Sequence, residues 1–135
     1  MFSWKRPGNL GVRDGRLAPC KRTPNCVSSQ ADPADRRHYI APLAFQGPPA
    51  DAIAALQRAV EAAPGARVVR ATPDYLYAEF RSRMMRFVDD VEFSLDPAGG
   101  VIHVRSAARM GIRDFGVNRA RVESLRRALD AALSR

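Results

Sequence analysis

The fold of this chain is constrained most by four short extended runs in its second half. They cover approximately residues 67–72, 75–82, 87–95 and 101–106, and turn signals separate them. Connections this short join antiparallel strands, because a parallel crossover needs about a dozen residues or more. The pattern therefore predicts antiparallel hairpins.

The third run has one apolar face and one polar face. Val91, Phe93 and Leu95 alternate with polar residues along it. Side chains of successive strand residues point to opposite faces of a sheet. The alternation therefore places the carboxylate of Asp89 on the apolar face.

The register between the third and fourth runs follows from matching their apolar positions. This matching puts Asp96 opposite Val101, with residues 97–100 as a four-residue loop. Glu92 then lies opposite Arg105 on the other face, where the two form a cross-strand pair of opposite charge.

Two segments, residues 49–63 and 118–134, have apolar residues at helical spacing. Asn118 is a good N-cap for the second helix. Residues 39–45 contain Pro42, which cannot donate to a ladder, so any strand there lies at a sheet edge. The sequence predicts an α+β fold, in which an antiparallel sheet of four to five strands has two amphipathic helices packed on one face.

The length of 135 residues suits one domain. Residues 1–16 lack periodicity and are expected to form a flexible arm, with a single domain over residues 17–135. No apolar stretch reaches the roughly 18 residues of a membrane span, and no secretory signal is apparent. We expect a soluble protein in the cytoplasm.

The net charge is +8, and nearly all of the basic residues are arginine. They are scattered along the chain, without a run of five or more. Net charge alone speaks to solubility and non-specific association. Nucleic acid is therefore not the expected partner.

Asp89 needs a partner, because an unpaired buried carboxylate is costly or stays protonated. Candidate partners are Arg109, Arg119 and the backbone amides of residues 111–117. Asp89 is either a perturbed acid at a ligand site or a structural residue that fastens this loop. The structural role is favoured.

Arginines are concentrated where the last strand leads into the last helix, and together with the helix N-terminus they suit an anion. The alternative is a structural network of these arginines with nearby acids. The candidate ligand-binding residues are Asp89, Arg105, Ser106, Arg109, Asp114, Asn118 and Arg119.

The spacing of Cys20 and Cys26 fits neither a redox pair nor half of a usual zinc site. A disulfide across this short loop and two reduced thiols are both compatible with the sequence. Ser106 has no histidine in reach, since His103 falls on the opposite face of its strand. We expect no metal, no cofactor and no catalytic residues.

Four motifs resemble the family called domain of unknown function 1499. They are Cys20 with residues 23–29, then residues 39–43, 86–93 and 104–123. Some relatives in that family look membrane-anchored or exported, and this resemblance favours a disulfide between Cys20 and Cys26. The resemblance implies no activity.

The favoured hypothesis is a non-enzymatic domain that binds a small anion or a partner protein through the Arg/Gly-rich loop of residues 106–119. The alternative is a hydrolase or redox enzyme that uses Asp89 or the Cys20/Cys26 pair.

Overall fold

The structure, a computed structural model, describes residues 5–82 and 87–134. The elements in chain order are β1 (Cys26–Ser28), β2 (Leu43–Ala44), α1 (Pro49–Ala62), β3 (Ala66–Ala71), β4 (Tyr75–Arg81), β5 (Val88–Asp96), β6 (Val101–Ala108) and α2 (Val117–Leu133). The sheet has the order β1-β6-β5-β4-β3, and β2 also pairs with β6. All named strand pairs are antiparallel, which confirms the predicted fold class.

The predicted register of the β5–β6 hairpin is confirmed. Asp96 faces Val101 across the turn, and Glu92 faces Arg105. A shift of one residue would have exchanged the two faces of the hairpin. The register therefore decides which charged residues of β5 and β6 meet the helices and which do not.

The first strand was not predicted. β1 is three residues long and pairs with β6, with Val27 opposite Ser106. A strand this short shows no alternation of apolar and polar residues in the sequence. It forms because the long strand β6 has backbone groups along one edge with which β1 can pair. The edge strand expected in residues 39–45 is present as the two residues of β2, directly after Pro42.

The core lies between the helices and one face of the sheet. Leu56 and Val60 of α1 and Leu129 of α2 pack against strand residues such as Phe93. Each large apolar side chain buried in this way contributes roughly 1.5–3 kcal/mol. No helix in the described ranges is long and apolar enough to cross a membrane.

The other face of the sheet, called here the outer face, carries polar residues and meets the N-terminal arm. Residues 5–16 of the arm, whose first four residues lie outside the described ranges, form no helix or named strand. Leu10 packs with Leu17, Tyr75 and Tyr77. The described part of the arm therefore lies against the domain.

Candidate functional site

The β6–α2 loop, residues 109–116, is held in place from beneath. Asn25, which is buried next to β1, donates from its side-chain amide to the carbonyl oxygens of Gly111 at 2.8 Å and Met110 at 3.3 Å. Gly111 and Gly116 have positive φ angles, which glycine adopts without steric cost. The contacts with Asn25 fix the course of the loop on the side that faces β1, which we call its lower side. The side chains on the opposite, upper side face solvent.

The N-terminus of α2 is capped by a carboxylate from this loop. The Asp114 carboxylate accepts hydrogen bonds from the backbone amides of Gly116 at 2.9 Å and Asn118 at 3.1 Å. The prediction that Asn118 is the N-cap is wrong, because Gly116 occupies the N-cap position. Asn118 lies inside the first turn of α2 and is fully buried. Val117 also donates its amide to the Asp114 carbonyl oxygen at 3.1 Å, so three amides at this end of α2 already have an acceptor on Asp114, whose negative charge a helix N-terminus favours.

Asp89 lies on the helix-facing side of the sheet, as its alternation predicts, but its partner was not among the candidates. Arg121 of α2 reaches the Asp89 carboxylate with a nitrogen–oxygen distance of 2.8 Å. Burial raises the pKa of Asp89, and the nearby Arg121 opposes that shift. The prediction of Arg109 or Arg119 as the partner was wrong because Arg121 lies in the second turn of α2, and the strand pattern does not show how α2 packs on the sheet.

Ser106 and Asn118 belong to the same buried network. The Ser106 hydroxyl donates to the Asn118 side-chain oxygen at 2.5 Å, and Arg121 donates to that oxygen at 2.8 Å. The Asn118 side-chain nitrogen donates to Asp114 at 2.7 Å. The structure thus brings Asp89, Ser106, Asp114 and Asn118 together, with Arg121 as the residue that the sequence did not indicate.

The other three predicted residues do not join this network. Arg105 and Arg109 lie on the outer face, because they alternate with Ser106 and Ala108 along the chain. Arg119 lies on the surface of α2, where it donates to the carbonyl oxygen of Tyr39 at 2.8 Å and to those of residues 36 and 37. The expected arginine cluster at the helix N-terminus is therefore divided between two faces of the sheet.

Arg109 is the centre of a charged network on the outer face. Its guanidinium donates to the Asp90 carboxylate at 2.9 Å and to Glu79 at 2.5 Å. Arg6 of the arm contacts the same Glu79 oxygen at 2.7 Å. Hydrogen bonds from Arg6 and then Arg109 lower the pKa of Glu79 to about 2, against the opposing effect of burial.

A second part of the outer face is built around Glu92, whose side chain is fully buried. One carboxylate oxygen accepts from the Tyr75 hydroxyl at 2.5 Å and from the backbone amide of Gly11 at 2.6 Å. The other oxygen lies 4.0 Å from an Arg105 nitrogen, beyond hydrogen-bonding distance. Glu92 Oε1 and Arg105 Nε are buried without a hydrogen-bond partner among the described residues.

The upper side of the β6–α2 loop exposes apolar side chains. Phe115 is 91% exposed and Ile112 is 64% exposed, and Met110 and Val117 beside them are about half exposed. Phe115 also has a φ of 53°, a left-handed conformation that is costly for a bulky residue. The sequence signal for these residues was the presence of apolar side chains in a polar, glycine-rich loop without any helical or strand period.

A cleft of about 270 Å³ lies beside Phe115. Arg37, Arg113 and Arg119 contribute to its walls, together with Pro24 and Val27. The side chains of Arg37 and Arg113 have no ionic or hydrogen-bond partner within the part of the chain that the structure describes. The exposed apolar residues are thus bordered by cationic groups that remain available for a partner.

The sulfur atoms of Cys20 and Cys26 lie 2.07 Å apart, at disulfide distance. The enclosed loop contains Thr23, whose carbonyl oxygen lies 2.9 Å from a ring nitrogen of His38. Asn25 belongs to the same loop. The position of residues 20–26 is therefore coupled to the underside of the β6–α2 loop.

His103 lies between Ser29 and Asp96. These are the three residue types of a Ser-His-Asp catalytic triad. The Ser29 hydroxyl is 3.0 Å from His103 Nδ1, but it also accepts from the amide of Val104 at 2.9 Å. The His103–Asp96 distance is 3.9 Å, too long for a hydrogen bond. Ser29 is buried, and its hydroxyl accepts from a backbone amide of β6. Its geometry is therefore that of a structural residue that satisfies this amide.

No group of three metal-ligating side chains is present in the two described ranges.

The family model described as "Protein of unknown function (DUF1499)" matches residues 16–129 of this chain. None of the curated proteins matches it. The matched segment contains all the strands and helices named above except the last few residues of α2, and the chain therefore belongs to the DUF1499 family.

Proposed function

We propose that this chain is a non-enzymatic domain that binds a partner protein through the β6–α2 loop, with Phe115 as the anchor residue. The observation that carries the proposal is the exposure of Phe115 in a loop fixed from below by Asn25 and Asp114. Binding energy at protein interfaces is concentrated in a few aromatic and arginine residues. A preformed loop also loses little conformational entropy when it binds.

The charges around Phe115 favour a partner with an acidic rim. The side chains of Arg37 and Arg113 border the apolar residues, and neither guanidinium group has an ionic or hydrogen-bond partner among the described residues. Complementary charges raise association rates and select among partners. The expected partner surface is therefore an apolar pocket for Phe115 that is flanked by aspartate or glutamate.

A protein partner is favoured over a small anion, the other half of the original hypothesis. Arg109 and Arg121 are held by Asp90 and Asp89, respectively. The amides at the start of α2 already bind the Asp114 carboxylate. A small anion bound at these arginines or amides would have to displace their internal partners, whereas a protein surface can use Phe115, Ile112 and the side chains of Arg37 and Arg113 without disturbing them.

We also propose that Cys20 and Cys26 form a disulfide in the native protein. The bond would close the loop that contains Asn25, and so it would help to hold the β6–α2 loop in its binding conformation. An oxidising compartment suits such a bond better than the cytoplasm does.

Site-specific photo-crosslinking in the source cells tests the partner proposal. A photoreactive phenylalanine analogue is placed at position 115 or 112, and a matched control is placed at Arg58, which is exposed on α1. We expect positions 115 and 112 to give the same protein adduct and position 58 to give none. Adducts with lipid alone would replace the protein partner with a membrane surface and contradict the proposal.

The captured protein is then purified and titrated against wild type and F115A. We expect F115A to bind at least about ten-fold more weakly, with an unchanged circular dichroism spectrum because Phe115 lies outside the core. R113E should also weaken binding and reduce its salt dependence. Equal affinities for wild type and F115A would refute the anchor role.

A further inference from the structure

The outer face of the sheet is the second surface whose chemistry points to an occupant. Three buried carboxylates, those of Glu79, Asp90 and Glu92, lie there with the guanidinium groups of Arg105 and Arg109. Among these buried groups there is one carboxylate more than there are guanidinium groups, and the arginines of β3 that reach this face, Arg67 and Arg70, are exposed to solvent. Arg6 of the arm supplies a further cation to the buried carboxylates by pairing with Glu79.

We infer that this outer face is a docking surface for an extended basic segment of a partner protein, and that residues 5–16 of the chain's own arm are its intramolecular competitor. The arm shows what the face recognises. Arg6 pairs with Glu79, the amide of Gly11 donates to Glu92, and Leu10 packs on Tyr75 and Tyr77. A partner segment needs a basic side chain, an apolar side chain and a free backbone amide in the same order.

The arm holds the face with few contacts. The Arg6 side chain is 49% exposed, so its ion pair with Glu79 is largely screened by water. The described part of the arm has no helix or named strand that would keep it in place. These contacts suit an occupant that another segment can displace.

The arm also satisfies the face incompletely. Gly11 donates to Glu92 Oε2, while Glu92 Oε1 and Arg105 Nε stay buried without a hydrogen-bond partner among the described residues. Buried polar atoms of this kind are costly. A segment that supplied a further donor and acceptor here would bind more favourably than the arm does.

Room for a larger occupant exists beside the arm. A groove of about 850 Å³ runs between residues 10–12 of the arm and the outer face at Arg70, Tyr75 and His103. The family match begins at residue 16, so it contains Glu79, Asp90 and Glu92 but almost none of the arm. The three buried carboxylates thus lie within the matched segment, whereas the arm lies almost wholly outside it.

Competition between the arm and an added peptide tests the inference in the full chain. The probe is a labelled synthetic peptide with the sequence of residues 5–14, and the variant is R6A/L10A, which loosens the arm without altering the sheet. We expect R6A/L10A to bind the peptide at least about ten-fold more tightly than wild type does, because a larger fraction of its surface is open. Circular dichroism shows whether the variant is folded.

Charge reversal keeps the test decisive. In the R6A/L10A background, E79R should abolish binding of the peptide, and a peptide with glutamate at the Arg6 position should restore it. A folded R6A/L10A protein that binds no peptide, or binds it no better than wild type, would overturn the inference. Concentration-dependent dimers formed by exchange of arms would also overturn it, since the occupant would then be a second copy of this chain.

Discussion

Glu92 and Arg105 face each other across β5 and β6 and are both buried, yet their closest charged atoms remain 4.0 Å apart. Glu92 obtains its hydrogen bonds from Tyr75 and Gly11, and Arg105 donates to the carbonyl oxygen of Pro19 at 3.3 Å. The two residues therefore depend on each other mainly through charge.

Removing Arg105 alone should destabilise the protein strongly. R105M leaves the Glu92 carboxylate buried without its cation, and we expect a loss of about 3–5 kcal/mol in the free energy of unfolding. Urea denaturation measures this loss. The double variant E92L/R105M should be more stable than R105M, since the uncompensated charge is gone; a simple sum of the two single effects would contradict the coupling.

Among the arginines of α2, Arg121 should contribute most to the free energy of unfolding. R121M removes the ion pair with Asp89 and the hydrogen bonds to Asn118 and Ser106, and we expect a loss of about 2–4 kcal/mol in urea denaturation. Arg127, exposed on the same helix, is the matched control, and R127M should change stability by no more than about 0.5 kcal/mol. Equal effects of the two substitutions would remove the role assigned to Arg121.

Glu79 should make the folded state sensitive to acid. Its pKa falls from an ordinary value of 4.5 to about 2 in the folded protein, so the unfolded chain binds this proton more tightly. The stabilisation from Glu79 is fully present above about pH 4.5 and is lost as the pH falls towards 2. Urea denaturation between pH 6 and 2 should therefore show a shallower loss of stability for E79Q than for wild type, and parallel curves would contradict the assignment.

The state of Cys20 and Cys26 can be read directly from the intact mass. Protein purified from its source without reductant should be about 2 Da lighter than the reduced chain, and reduction should remove the difference. Reduction should also lower the unfolding temperature, because the closed loop limits the unfolded chain. C20S is the matched control for reduction, since its unfolding temperature should not respond to reductant. A full reduced mass would support the cytoplasmic expectation instead.

The faces of the strands and the register of the β5–β6 hairpin can be predicted from the sequence, because both follow from an alternation of apolar and polar residues with a period of two. Asp89 was placed towards the helices and Glu92 opposite Arg105 on this basis, and both placements are confirmed. The three residues of β1 were missed because a strand of that length shows no period.

The partners of the charged groups were harder to predict, because they depend on how separate elements pack. Asp89 meets Arg121 only once α2 lies over the sheet. Glu79 and Glu92 have partners in the arm, Arg6 and the amide of Gly11, and the arm has no periodic pattern from which these contacts could be predicted. The exposure of Phe115 is likewise a property of the folded loop.

The pairing of β6 with β1, β2 and β5 has a consequence for how the chain folds during its synthesis. One contact of this assembly joins Asn25 to Gly111 across 86 residues of sequence. Contacts so distant along the chain slow folding, because the long intervening loop must close before they form. The first two strands, β1 and β2, therefore have to wait until β6 has left the ribosome, and the sheet cannot be completed before that point of synthesis.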